Sequence, residues 1–148
     1  MDKKFSQKMK EAASLLNLKS HLCGLNSPVE LAASADIEGH LGTDNRYYLL
    51  DFSRTMPPVR PEVSRFRNSH LFYLFRREFV KNFRKPLCSD GYSGFILKDP
   101  KMRLHNKEID EATEHLLDVV VPACARELCQ VWGGREGGRG RRGKGKES

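Results

Sequence analysis

The chain has 148 residues, of which 39% are hydrophobic and 30% charged, a composition that excludes a disordered or membrane-embedded chain and suits one globular domain with a real core. No apolar run approaches the roughly eighteen residues of a membrane helix, and the basic start MDKKFSQKMKEAASLL lacks the apolar stretch and cleavage site of a secretory signal. The net charge of +7 is unevenly placed: Gly133–Ser148 holds six Lys or Arg against two Glu and seven of the twelve glycines, which leaves +3 for the first 132 residues. Residues 133–148 are therefore expected to be a disordered basic tail behind a domain spanning 1–132.

In chain order, Phe5, Met9, Ala12, Ala13 and Leu16 recur at helical spacing, with Lys and Gln opposite, and predict a helix from Asp2 to Asn17. Gly24, Asn26 and Pro28 make the next stretch a loop, with a short strand expected at Val29–Ala32. Gly42-Thr43-Asp44-Asn45 predicts a tight reversal, because Gly, Asp and Asn tolerate positive φ or bond their own backbone. It joins Ala35–His40 to the aromatic strand Arg46–Phe52. Tyr48, Leu50 and Phe52 share one face of that strand and Tyr47, Leu49 and Asp51 the other, so it is expected to be covered on both sides. Pro57-Pro58 is expected to end strand pairing.

Beyond an irregular Val59–Arg67, Asn68 or Ser69 is expected to cap a helix running to Phe83, with Phe72, Phe75, Phe79 and Phe83 as its core stripe. Arg76, Arg77, Lys81 and Arg84 lie opposite and are candidate RNA-contacting residues, although a solvated face explains them better, since the aromatic and basic residues segregate to opposite faces instead of sharing one surface. Ser89-Asp90-Gly91 and Tyr92-Ser93-Gly94 lack a Walker or GxGxxG pattern and read as a connecting loop. From Asn106, Glu108, Asp110 and Glu111 form an acidic first turn over the apolar set Ile109, Ala112, Leu116 and Val120, and Pro122 kinks that helix or starts another. Cys23, Cys88, Cys124 and Cys129 form no CxxC pair and are expected to be reduced, mostly buried thiols of a cytosolic protein.

The candidate site lies in the predicted hairpin. Asp36, Glu38, His40, Asp44, Arg46, Asp51 and Arg54 are the polar set that could converge there. Asp51, at the end of an apolar strand, needs an answering charge, and Arg54 and Arg46 are the nearest. No second His or Cys stands at ligand spacing from His40, so neither a metal nor another cofactor is expected. The fold class expected is α+β: a mainly helical single domain packed around a central antiparallel β-hairpin.

Four segments, AASLLNLKSH (Ala12–His21), DIEGHLGTDNRYYLLDFSR (Asp36–Arg54, with Pro57-Pro58), HLFYLFRREFVKNFRKPLCSDGYSGF (His70–Phe95) and NKEIDEATEHLLDVVVPACAREL (Asn106–Leu128), together resemble the CLU domain of the clustered-mitochondria family. The resemblance implies a cytoplasmic, messenger-RNA-binding module that acts in mitochondrial distribution and biogenesis, with RNA or ribonucleoprotein and the rest of a larger CLU-type protein as partners. Family members carry helical repeats after this domain, whereas here the basic tail follows Leu128, so a fragment or an incomplete gene model is expected.

No enzymatic activity is expected, and two alternatives stand beside that reading. Leu50-Asp51-Phe52 resembles the strand that presents a metal-binding Asp in kinase-like phosphotransferases, which would make this a remnant or inactive lobe. A Gly-rich phosphate loop and a strand lysine are missing from the sequence, and the chain is too short for two lobes. The other alternative is a purely structural scaffold segment of a larger protein.

Overall fold

The computed structural model describes residues 3–61 and 66–133. The fold is α+β, with two compact units at Met1–Thr113 and Glu114–Ser148. In the first, helix α1 (Lys3–Leu15) precedes two antiparallel hairpins, β1 (His21–Cys23) with β2 (Val29–Leu31) and β3 (Glu38–Leu41) with β4 (Tyr47–Leu50). Helices α2 (Arg77–Asn82) and α3 (Met102–His115) follow, separated by a buried loop.

Helix α1 ends where the sequence supplies a residue that tolerates left-handed backbone. Asn17 has φ 58°, its N–H donates to Ser14 O (3.2 Å) and the Leu18 N–H to Ala13 O (2.8 Å), the two bonds of a Schellman cap. The same side chain then ties distant chain together, because its amide donates to the carbonyls of Val80, Phe83 and Lys85 at 2.8, 2.8 and 3.2 Å. Leu18 bridges Leu87 beside it, through Lys19 N–H to Leu87 O (2.9 Å) and Leu87 N–H to Asn17 O (3.1 Å). Leu87, Cys88, Val80, Ile96, Ile109 and Ala112 are fully buried and form the centre of the core.

The β3–β4 hairpin has the expected turn, closed by Gly42 N–H to Arg46 O (2.8 Å) with Asn45 at φ 62°, and its register pairs Glu38 with Leu50 and Leu41 with Tyr47. Its position differs from expectation. Only one face is packed: Phe5 of α1 meets Tyr47 with ring centroids 5.3 Å apart and lies so close over Gly39 that a Cβ there would meet the ring. Tyr48 and Leu50 on the other face are exposed, as is Phe52 beyond the strand, so the hairpin is a flank of the fold and not its centre. A first hairpin, β1–β2, is also present where the sequence reading placed only the second of its strands.

The single helix expected up to Phe83 is broken. Ser69–Leu71 is one 3₁₀ turn, Asn68 before it has φ 61°, and α2 begins only at Arg77. The intervening backbone is taken by the double proline. The Pro57 carbonyl accepts from Phe75 N–H (2.9 Å), Val59 N–H donates to Tyr73 O (2.8 Å), and Pro58 bridges Leu74. Proline has no N–H, but its carbonyls still require donors, and these donors would otherwise bond within a helix. Phe75, Phe79 and Phe83 remain stacked at 4.9 and 5.7 Å, whereas Phe72 is exposed.

Helix α3 starts a turn earlier than Asn106, because Asp99 accepts from Lys101 N–H (2.7 Å) through its side chain and from Met102 N–H (3.0 Å) through its carbonyl. Glu108, Asp110 and Glu111 therefore lie mid-helix, each with a partner: Lys19, the Tyr92 hydroxyl, and Lys85 with Arg84. The second unit contains a π-helical turn, Leu116–Val120, that runs on without a break into helix α4 (Val121–Gly133); Val121 N–H bonds Leu116 O, and Pro122, which has no N–H to donate, follows directly on this wider turn. Leu128, Val131 and Trp132 of α4 are exposed. Cys23 and Cys88 are buried, but Cys124 and Cys129 are exposed, contrary to the expectation of mostly buried thiols; helix α4 presents both to solvent. The predicted tail lies outside the described residues apart from Gly133.

Burial decides where stability resides. Leu87→Ala is expected to lower the unfolding free energy by about 2–5 kcal/mol and Leu50→Ala by under about 1 kcal/mol in chemical denaturation, the reverse of what a central hairpin requires.

Candidate functional site

The polar residues expected to converge in the hairpin divide into local pairs. Glu38 meets His40 at 3.2 Å on the exposed face of β3. Asp44 accepts from the Tyr48 hydroxyl (2.7 Å) and Arg46 N–H (3.2 Å), with Arg46 Nε 3.7 Å away, all exposed in the turn. Asp51 adopts φ 57° and accepts from the Ser53 hydroxyl (2.6 Å) and N–H (3.3 Å), and these bonds hold its carboxyl below the usual range. Its expected ion pair with Arg54 is absent, because Arg54 turns inward.

Arg54 is buried and joins two other carboxylates. Its Nε donates to Asp36 and its Nη2 to Asp90 Oδ1 (2.6 Å), while the guanidinium lies 5.4 Å from the Phe95 ring centre. Asp90 is fully buried, and its second oxygen accepts from His21 Nε2 (2.8 Å) and Ala35 N–H (2.8 Å). One carboxylate thus gathers β1, the chain after β2 and the chain after β4. A neighbouring layer repeats the chemistry: Asp99 accepts from Leu22 N–H (2.7 Å) and lies 3.3 Å from His105 Nε2, with the His105 ring edge-on to His21 at 6.4 Å.

The electrostatics follow from this packing. Burial pulls the His21 pKa down, but the hydrogen bonds to Asp90 and Cys88 outweigh it and raise the value to about 10, so His21 is an imidazolium at neutral pH. Burial depresses His105 despite Asp99, so that ring is neutral. Burial, reinforced by Asp90, pushes the Cys23 thiol up to about 11, which removes it as a nucleophile at neutral pH. Charged hydrogen bonds inside the protein satisfy the carboxylate of Asp90, and this arrangement orders the fold rather than presenting a reactive group. Among the described residues no group of three or more His, Cys, Asp or Glu could hold a metal ion.

The candidate RNA-contacting residues surround α2. Arg76 precedes it, Arg77 pairs with Glu78 at 3.4 Å, Lys81 is in its last turn, and Arg84 stands 3.3 Å from Glu111 and 6.0 Å from the Phe83 ring centre. All four are exposed. Sequence reasoning missed Asp90, whose only local mark is a carboxylate between a small polar residue and glycine directly after the apolar Leu87-Cys88. No helix among the described residues is long and apolar enough to cross a membrane.

The network makes two measurable demands. Asp90→Ala is expected to cost about 3–5 kcal/mol of stability, since it leaves Arg54 and His21 buried without their partner, whereas Asp51→Ala stays within about 1 kcal/mol. Because the folded pKa of His21, about 10, lies above the ordinary imidazole value of 6.5, its contribution is complete below about pH 6.5 and is lost as pH rises toward 10. Denaturant titrations across that window should show the decline, and His21→Gln should remove the His21 part of it.

Comparison with known proteins bears on the N-terminal part of this geometry. Residues 1–60, from α1 to just past the double proline, match the family model described as CLU, Clustered mitochondria. The "Clustered mitochondria protein" of Arabidopsis thaliana is 42% identical over 55 residues, which are 36% of this chain and 4% of that protein. "Protein clueless" of Drosophila willistoni and of Drosophila virilis are each 37% identical over 57 residues, 37% of this chain and 4% of theirs. The stretch shared with these relatives is thus a small part of much longer proteins. No solved structure matches. Residues 1–60, which contribute His21, Ala35, Asp36 and Arg54 to the buried network, thus match the clustered-mitochondria (CLU) family.

Proposed function

We propose that this chain is a non-catalytic CLU-type binding module that works in the cytoplasm on mitochondrial distribution and biogenesis, with messenger RNA or ribonucleoprotein as its partner and docked to other parts of a CLU-type protein. The observation that carries the reading is the family match over residues 1–60, together with relatives whose names refer to clustered mitochondria. The buried chemistry is compatible with it. Asp90 and Arg54 are engaged with protein partners, and Cys23 is held as a thiol, so the most unusual ionisable groups stabilise a shape. The net charge of +3 that remains on the first 132 residues adds mild support for a polyanionic partner.

Fluorescence anisotropy with a labelled single-stranded RNA tests the proposal. The full chain is expected to bind, with affinity falling steeply between about 50 and 200 mM salt as phosphate contacts release counterions. A chain ending at residue 132 should retain binding; complete loss with the tail would reduce the interaction to nonspecific attraction and sink the reading.

A further inference from the structure

The β3–β4 ladder leaves one strand edge open along a pocket. Gly42 N–H bonds Arg46 O at the turn (2.8 Å), and bonded and non-bonded positions alternate in an antiparallel pair. His40–Tyr48 and Glu38–Leu50 are therefore the bonded pairs, and Gly39–Leu49 and Leu41–Tyr47 the non-bonded ones. The N–H and C=O groups of Gly39 and Leu41 thus point away from β4, and they have no hydrogen-bond partner among the described residues. Every residue of β3 is exposed. Gly39 and Leu41 also line a pocket of about 360 Å³, with Phe5 and Met9 of α1, Leu31 of β2 and Ile37 on its apolar walls. That volume falls in the range of ligand sites. Lys10 and Glu30, also in the lining, neutralise each other at 2.5 Å. Ser34, 1% exposed, lines the pocket too, and its hydroxyl has no hydrogen-bond partner among the described residues.

We infer that this edge takes an extended peptide segment of a partner protein, paired antiparallel with β3, with apolar side chains over the pocket and a basic side chain beside Glu38. The inference goes beyond the RNA-binding reading and uses none of the basic residues around α2. Outward N–H and C=O groups two residues apart on one strand have the spacing of an extended main chain, which answers all of them at once. An apolar small molecule would fill the pocket and leave them unanswered. Register then sets the chemistry of the partner. Opposed residues share a face of a sheet, so peptide residues facing Leu41 and Gly39 put their side chains on the face that meets α1, where the pocket lies. One position further, the residue facing Glu38 lies on the other, exposed face, where among the described residues Glu38 has the His40 ring at 3.2 Å as its partner. A carboxylate there favours Lys or Arg opposite it, and the segment reads apolar, any, apolar, basic.

Anisotropy of the full chain with the fluorescein-labelled peptide Thr-Val-Thr-Val-Lys-Thr tests the edge. N-methylation of either valine removes a donor to β3 and is expected to weaken binding roughly tenfold, whereas N-methylation of the threonine between them, whose N–H points away from β3, should change it by under about threefold. Replacing the lysine by glutamate should weaken binding roughly two- to fivefold, and Glu38→Gln should remove that preference. Leu41→Pro deletes an outward N–H and leaves the ladder bonds to β4 intact, so it should bind about tenfold more weakly than Leu41→Ala, with both unfolding midpoints near the parent's. Failure of the parent to bind the peptide overturns the inference, as does equal binding of the peptides methylated at valine and at threonine. If the chain alone is dimeric in sedimentation equilibrium and Leu41→Pro makes it monomeric, a second copy covers the edge and the peptide assignment falls. RNA binding is expected to be unchanged by Leu41→Pro, so the two readings stand or fall separately.

Discussion

A carboxylate removed entirely from water costs several kcal/mol unless charged donors replace the water, and Asp90 is such a carboxylate. Its donors come from three separate places, His21 in β1, the Ala35 backbone after β2 and Arg54 after β4, so the folded position of each is a condition for the others. Arg54 carries the constraint one step further, to Asp36. The buried loop that holds Asp90 also contains Leu87 and Cys88, which ties the charged network to the apolar core. Polar and apolar organisation therefore meet in the same few residues.

The two hairpins are held differently as a consequence. β1 supplies His21 to Asp90 and the Leu22 amide to Asp99, and it is the more buried. β3–β4 leans on α1 through Phe5, Gly39 and Tyr47 and leaves Tyr48, Leu50 and Phe52 facing water. The relatives with matching sequence are far longer: the match covers 4% of each.

Much of the candidate site was illegible in the sequence for a specific reason. Proximity along the chain suggested that Asp51 and Arg54 answer each other, but a carboxylate three residues away competes with any carboxylate that the fold delivers. Asp51 is exposed and takes its hydrogen bonds from Ser53, with Arg54 only a minor, more distant charge to it. Asp90, with no water at all, makes the stronger demand on Arg54. The same competition broke the helix expected before Phe83. Its phenylalanine spacing is real and three of the rings do stack, yet the carbonyl of Pro57 and the amide of Val59 claim backbone partners in Tyr73–Phe75.

What the sequence determined by itself is the local structure: α1 and its end near Asn17, the Gly42–Asn45 reversal between β3 and β4, the second strand at Val29 and the helical character of the last described stretch. Each depends on residues within a few positions of one another, on periodicity, positive φ and turn chemistry. Tertiary structure alone decided which face of the hairpin is covered, which carboxylate takes Arg54, and where the helix before Phe83 gives way. Those outcomes depend on partners 36 residues away for Arg54 and Asp90 and 69 for His21 and Asp90, and desolvation selects among partners only once the chain has brought them together.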